Sequence, residues 1–181
     1  MKPARRRRAV PPLDEAKLKE LALRYVGRFA TTRAKLRSYL ARKLRERGWD
    51  GAREPDLEAI ADKFVDAGYI DDCSYALAKS QSLTGRGYGK QRVIQALKAA
   101  GIEEDDGASA RDHAEEEAVA AALRFARRRR VGPYAESQPR DPREKEKALA
   151  AMIRAGHGFE LSKAILALPP GTEVDADQLR R

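Results

Sequence analysis

From Asp14 onward, apolar residues recur three and four apart, the spacing of buried helix faces. Leu18, Leu21, Ala22, Tyr25, Val26 and Phe29 fall on one face of a first helix, and Asp14 with Glu15 suits the positive end of its dipole. Thr31 or Thr32 caps a second helix with Leu36, Tyr39, Leu40 and Leu44 inward, and Gly48 ends it. Pro55 opens a third, with Leu57, Ile60, Ala61, Phe64 and Val65 as its core face, and Gly68 closes it. The pattern then recurs. Asp71 to Leu83 is helical, and Lys90 to Ala100 buries Val93, Ile94 and Leu97 before Gly101. A helix expected near Glu103 is interrupted by Asp105-Asp106-Gly107, after which a strong pattern runs from about Asp112 to Arg129 through Ala118, Val119, Ala122, Phe125 and Ala126. Val131 to Arg140 is a loop. Asp141 caps and Pro142 opens a helix running to Gly156 through Ala148, Leu149, Met152 and Ile153. A last helix, Phe159 to Leu168, carries Leu161, Ala164 and Ile165 and stops at Pro169-Pro170-Gly171. The fold class is all-α.

Two joints organise this pattern. In Gly68-Tyr69-Ile70-Asp71-Asp72, Gly68 supplies a left-handed position, Asp71 caps the next helix, and Ile70 with Tyr75 forms a hydrophobic staple that fixes the angle between helices. In Arg86-Gly87-Tyr88-Gly89-Lys90-Gln91-Arg92, Gly87 and Gly89 permit a sharp turn around an aromatic. This is not a phosphate loop, because no strand precedes it and no Gly-Lys-Ser/Thr ending follows. The frame of Val93-Ile94, Leu97 and Gly101 matches Ala148-Leu149, Met152 and Gly156, and Leu40-Ala41, Leu44 and Gly48 fit it too. Such matches argue for tandem three-helix modules stacked into an elongated, curved body.

Composition changes the picture in one direction. The 181 residues carry a formal net charge of +9, and the pI of about 9.8 favours acidic partners such as nucleic acid, an anionic membrane or an acidic protein face. Abundant Ala and Arg suggest a high-GC genome, which discounts part of that signal. A single cysteine, Cys73, excludes an internal disulfide framework and fits a reducing cytosol. No apolar run approaches a membrane span, so a cytoplasmic protein is expected. The basic arm of residues 1–12, with Arg5 to Arg8, is either a solvated tail or a nucleic-acid contact.

Candidate chemistry points to binding rather than catalysis. His113 and His157 lie in different modules without a carboxylate pair at ligating spacing, and a solvent-facing or turn position is expected of each. The acidic runs Glu103 to Asp106 and Glu115 to Glu117 read as solvated helix starts, and neither a metal nor a cofactor is expected. Arg33, Lys35, Arg37, Arg42, Lys43, Arg86, Lys90, Arg92 and Lys98 come from successive second helices or the turn before them, and stacked repeats would align them into a basic stripe. Arg127, Arg128, Arg129 and Arg130 end the long helix, where they either satisfy its dipole or also meet phosphate or carboxylate. Tyr88 is exposed on its turn or packed between modules, and packing is the favoured reading.

The Gly68-Tyr69-Ile70-Asp71-Asp72 joint followed by Tyr75-Ala76, the Arg86-Gly87-Tyr88-Gly89 turn with Arg92 and Leu97, and Gly156-His157-Gly158-Phe159 with Ile165 together resemble the RecX family of bacterial recombination regulators. The resemblance spans about Leu18 to Leu168. It implies three tandem three-helix repeats, placed here at residues 13–67, 68–111 and 112–168, between the basic arm and a polar tail at 169–181. It further implies a protein that binds RecA and lies in the groove of the RecA-DNA filament, restraining ATP hydrolysis, filament extension and strand exchange in recombination, DNA repair and the SOS response; a monomer is expected. Gly68, Asp71, Gly87, Gly89, Gly101 and Gly156 would be its structural joints. Two features depart from a regular repeat: the long second helix before Gly48 and the erosion at Asp105-Asp106-Gly107. The alternative reading is a general DNA- or RNA-binding helical-repeat protein without RecA recognition, in contact with single- or double-stranded DNA directly.

Overall fold

Short polar side chains start the helices. In the computed structural model, which describes residues 11–139 and 141–180, Asp14 accepts from the Lys17 amide at 2.8 Å and begins α1 (Glu15–Val26). Thr32, fully buried, accepts from the Lys35 amide at 3.1 Å and begins α2 (Arg33–Arg47). Asp56 accepts from the Ala59 amide at 3.0 Å and begins α3 (Leu57–Asp66). Each cap satisfies an amide that the first helical turn cannot. The start of α3, expected at Pro55, therefore falls at Leu57, behind the Asp56 cap.

The chain divides into two compact units, one ending at Asp71 and the other beginning at Asp72. In the first unit Leu18, Ala22, Leu36, Leu40, Ile60, Ala61 and Ile70 form the core, with Tyr25, Tyr39, Leu44, Trp49 and Phe64 packed around it. Leu13, which belongs to no helix, is also fully buried there. Its amide donates to Gly48 O at 3.0 Å and its carbonyl accepts from the Asp50 amide at 2.8 Å, an isolated parallel bridge to the segment after α2. Arg47 holds the chain two residues earlier, donating from Nε and Nη2 to Pro11 O at 3.0 and 2.8 Å. The Arg5 to Arg8 arm lies outside the described residues.

The second unit comprises α4 (Asp72–Gly85), α5 (Lys90–Ala100), α6 (Ala108–Glu116), α7 (Ala118–Arg129), α8 (Pro142–Arg154) and α9 (Phe159–Ala167), with short 3-10 turns at Gly132–Tyr134 and Gln178–Arg180. Ala76, Ala110 and Ala114 let α4 and α6 approach closely enough for Ser80 Oγ to donate to Ala110 O at 2.8 Å. A second cluster joins Ala122, Phe125 and Ala126 of α7 to Met152, Ala155 and Ile165, and Tyr88 packs against both clusters. Among the described residues the fold is helical throughout, with no strand beyond the bridge at Leu13.

The structure corrects several expectations. The helix expected from Asp112 to Arg129 is two helices, α6 starting earlier at Ala108 and breaking at Glu117, where φ is −83° and ψ 0°. Ala, Glu and Arg are all good helix formers there, so packing of α6 on α4 and of α7 on the turn after α4 sets the break, not propensity. Phe29 is 55% exposed because α1 ends at Val26, before the face could carry it. Val65 and Ile153 also lie outside, at 39% and 41% exposed, and Ala164 is exposed. Gly48 does not share the helix ending of Gly101 and Gly156. With φ 79° and ψ 172° it leads into extended backbone, as the bridge to Leu13 requires.

Candidate partner-binding surface

The α4–α5 turn is built from left-handed backbone at Gly87, φ 79°. Gly87 N–H donates to Thr84 O at 2.8 Å and Tyr88 N–H to Leu83 O at 3.0 Å, the paired bonds that close a helix through a glycine. The same pair recurs at Gly68 with Val65 and Phe64, at Gly101 with Lys98 and Leu97, and at Gly156 with Ile153 and Met152. Asp71 precedes the first residue of α4.

Gly89 meets α8. Its amide donates to Ala155 O at 2.9 Å, and Gln91 N–H donates to Gly156 O at 3.1 Å. Amides left over at the start of α5 thus meet carbonyls left over at the end of α8, bringing opposite ends of two helix dipoles together. A Cβ on Gly89 would lie 2.3 Å from Gly156 O, and one on Gly156 would lie 2.4 Å from Arg92 N. Only glycine fits on both sides of this contact.

His157 locks the joint. It is 4% exposed, its Nε2 lies 3.2 Å from Gly87 O, and its ring meets Phe125 edge-on at 5.4 Å. A carbonyl partner requires the proton on Nε2. Buried Nδ1 has no hydrogen-bond partner among the described residues, so a second proton there would go unsatisfied. Burial pushes its pKa below the ordinary histidine value, the bond to Gly87 opposes this, and the Arg128 charge adds to it. His157 thus sits in the turn between α8 and α9, as one of the two expected positions had it, but faces inward rather than solvent.

Over this scaffold lie the arginines. The guanidinium carbons of Arg86 and Arg128 are 5.5 and 5.9 Å from the Tyr88 ring centroid. Arg128 and Arg129 lie 5.4 and 5.9 Å from the Phe125 ring, and Arg127 lies 4.9 Å from Tyr134. Arg128 Nη1 also donates to Arg86 O near the end of α4. Arg124, which periodicity did not single out, donates from Nε to Thr84 O at 3.2 Å and from Nη2 to the Glu117 carboxylate. Its position one helical turn before Arg128 was the available signal. Rings held beneath guanidinium groups orient them while leaving N–H edges for phosphate or carboxylate.

Other basic candidates are engaged differently. Arg33 pairs with Glu58 and Asp62, each at 2.7 Å, and Arg37 pairs with Glu58 at 2.7 Å. Lys43 and Arg42 share Glu46 at 2.6 and 3.7 Å. Lys35 is half-buried at the start of α2. Lys90 pairs with Glu115 at 2.6 Å, whereas Arg92 and Lys98 are exposed on α5. Arg130, a non-glycine residue at φ 52°, pairs with Glu136 at 3.3 Å. The structure therefore gathers Arg86, Tyr88, Arg128 and Arg129 in the second unit, while much of the α2 set is bound to the first unit's own acids. Among the described residues, no three ligating side chains gather to hold a metal, and no helix is long and apolar enough to cross a membrane.

No family model matches the chain. Regulatory protein RecX of Myxococcus xanthus (strain DK1622) is 31% identical over 161 residues, covering 84% of this chain and 86% of that protein. The proteins of that name from Mycobacterium sp. (strain KMS) and Agrobacterium fabrum are 30% identical over 165 residues and 28% over 141 residues. These alignments cover 85% and 76% of this chain, and 83% and 74% of the relatives. The crystal structure of RecX from Lactobacillus salivarius superposes with a TM-score of 0.59 at 19% identity, covering 83% of this chain and 92% of that one. A second regulatory protein RecX crystal structure gives a TM-score of 0.58 at 22% identity, over 83% and 70% of the two chains. Sequence identity along most of its length and the shared helical fold agree: the chain belongs to the RecX family of regulatory proteins.

Proposed function

We propose that this chain binds RecA and the RecA-DNA filament and modulates its ATP hydrolysis, extension and strand exchange, acting as a cytoplasmic monomer in recombination, DNA repair and the SOS response. The observation that carries the reading is the arginine surface around Tyr88, fixed by a backbone joint, in a chain of a regulatory family. A binder changes an assembly only by preferring one of its states, and a rigid joint under charged side chains provides such a preference. The proposal includes three tandem repeats. The matching helix ends at Gly101 and Gly156 support them.

The test is DNA-stimulated ATP hydrolysis by preformed RecA filaments, with the chain substoichiometric, free DNA in excess and salt at about 150 mM. Inhibition under those conditions supports filament recognition, since competition for bare strand is screened and saturated. The net charge of +9 favours a second reading, general DNA or RNA binding. Unchanged hydrolysis, together with DNA affinity that falls by orders of magnitude between about 50 and 200 mM salt, would establish that one instead.

A further inference from the structure

The α1–α2 turn of the first unit carries a second aromatic and cationic group. α1 ends as Gly27 N–H donates to Leu23 O at 3.0 Å, and the next two amides, Arg28 and Phe29, both reach Tyr25 O at 3.2 Å. This tight ending turns Phe29 off the apolar face and leaves it 55% exposed, although apolar rings gain most from burial. Its ring leans on Tyr25 at 5.5 Å and 51°, and Tyr25 stacks on Tyr39 of α2 at 4.3 Å and 12°. Arg28 lies 5.9 Å from the Phe29 centroid, and Arg42 and Lys43 lie 5.6 and 5.8 Å from that of Tyr39. Arg28 makes no ion pair among the described residues, while Arg42 and Lys43 share one carboxylate, Glu46. The group is therefore net positive around an open ring.

Which partner suits such a surface follows from its chemistry. Duplex DNA keeps its bases stacked on one another and offers phosphates, leaving an exposed phenyl ring unused. An apolar protein surface would cover the ring but strip water from the cations beside it. A single strand supplies both flat unstacked bases and phosphates at adjacent positions, and proteins that hold it combine aromatic platforms with positive grooves. We propose that Phe29, with Arg28 beside it and backed by the Tyr25–Tyr39 stack that carries Arg42 and Lys43 over Tyr39, is a single-stranded nucleic-acid site, with a base on Phe29 and the neighbouring phosphates on the cations.

The experiment compares two fluorescently labelled strands of equal length and charge, an oligothymidylate and an abasic oligomer, by anisotropy with the full chain and no RecA. Phe29→Ala is expected to weaken oligothymidylate binding about 5- to 100-fold while leaving the abasic strand unchanged, and Phe29→Trp to keep the affinity. Arg28→Ala should weaken both strands and lower the salt slope by about one. Unaltered melting of each variant checks the fold, as Phe29 is exposed. Absence of oligothymidylate binding by the unsubstituted chain overturns the proposal, as does an equal loss on both strands or no loss on either. A Phe29→Ala chain that keeps its strand affinity but loses filament inhibition would assign the surface to a protein partner instead. Because the assay contains no RecA, its failure leaves the filament reading standing, and failure of the filament assay leaves this one untouched.

Discussion

Replacing Gly89 by alanine tests the joint most directly. Gly89 has φ −83° and ψ 171°, a backbone region open to any residue, so the substitution adds no intrinsic strain. The added Cβ would stand 2.3 Å from Gly156 O, 2.4 Å from Gly156 C and 2.6 Å from His157 N. These are backbone atoms, and no rotamer change moves them. Relief requires the start of α5 to retreat from the end of α8, which gives up the bonds from Gly89 to Ala155 and from Gln91 to Gly156. Two hydrogen bonds at about 1 kcal/mol each, with overpacking of about 1–3 kcal/mol, predict a loss of roughly 3–5 kcal/mol. Gly85→Ala is the control: nothing lies within 4 Å of its added Cβ and it sits in α4, so a gain of about 0.5–1 kcal/mol is expected. Urea denaturation followed by circular dichroism gives both numbers, and hydrogen exchange at the Gln91 amide reports the joint itself. A loss below about 1 kcal/mol with that amide still protected would refute the reasoning.

The remaining predictions concern charge and caps. Because the folded-state pKa of His157 is lowered, the unfolded chain takes up its proton first, and stability should fall as pH drops below the ordinary value of 6.5. The lowered carboxyl groups of Asp14, Glu15 and Glu46 act only below their ordinary values of 3.8 and 4.5, so urea midpoints between about pH 5 and 7 avoid them, and the part of the slope lost in His157→Phe belongs to that histidine. Combined Arg86→Glu and Arg128→Glu should relieve inhibition of RecA ATP hydrolysis, whereas Arg33→Glu, set against Glu58 and Asp62, should lower the urea midpoint with less effect on inhibition. Asp56→Ala should destabilise the first unit by about 0.5–2 kcal/mol through loss of the α3 cap, measured by thermal melting.

Helices were legible because apolar spacing and capping residues are local signals, and Asp14, Thr32 and Asp141 stand at helix starts with their side chains bonded as caps. What escaped was set by contacts distant along the chain. Leu13 lies outside any helical period, and its burial depends on a bridge to the segment after α2. The break at Glu117 carries no glycine or proline. Gly89 and Gly156 each marked a turn, but their mutual approach is a property of the folded unit. Arginines along α2 looked like a binding face because pairing with Glu58, Asp62 and Glu46 depends on helix register and on α3. The turn position of His157 was legible, but its burial was not, since its partners Gly87 and Phe125 lie far away in sequence.

Trp49 has a practical consequence. The chain has one tryptophan, and it lies in the first unit, its indole Nε1 donating to Arg53 O at 2.8 Å and its ring lying against Gly51. Intrinsic emission excited at the red edge therefore comes from that unit alone, and the unit holding the arginine surface is optically silent. Titrating a ligand while following both this emission and an extrinsic label on exposed Cys73, in the other unit, would tell which half of the chain it visits without any substitution.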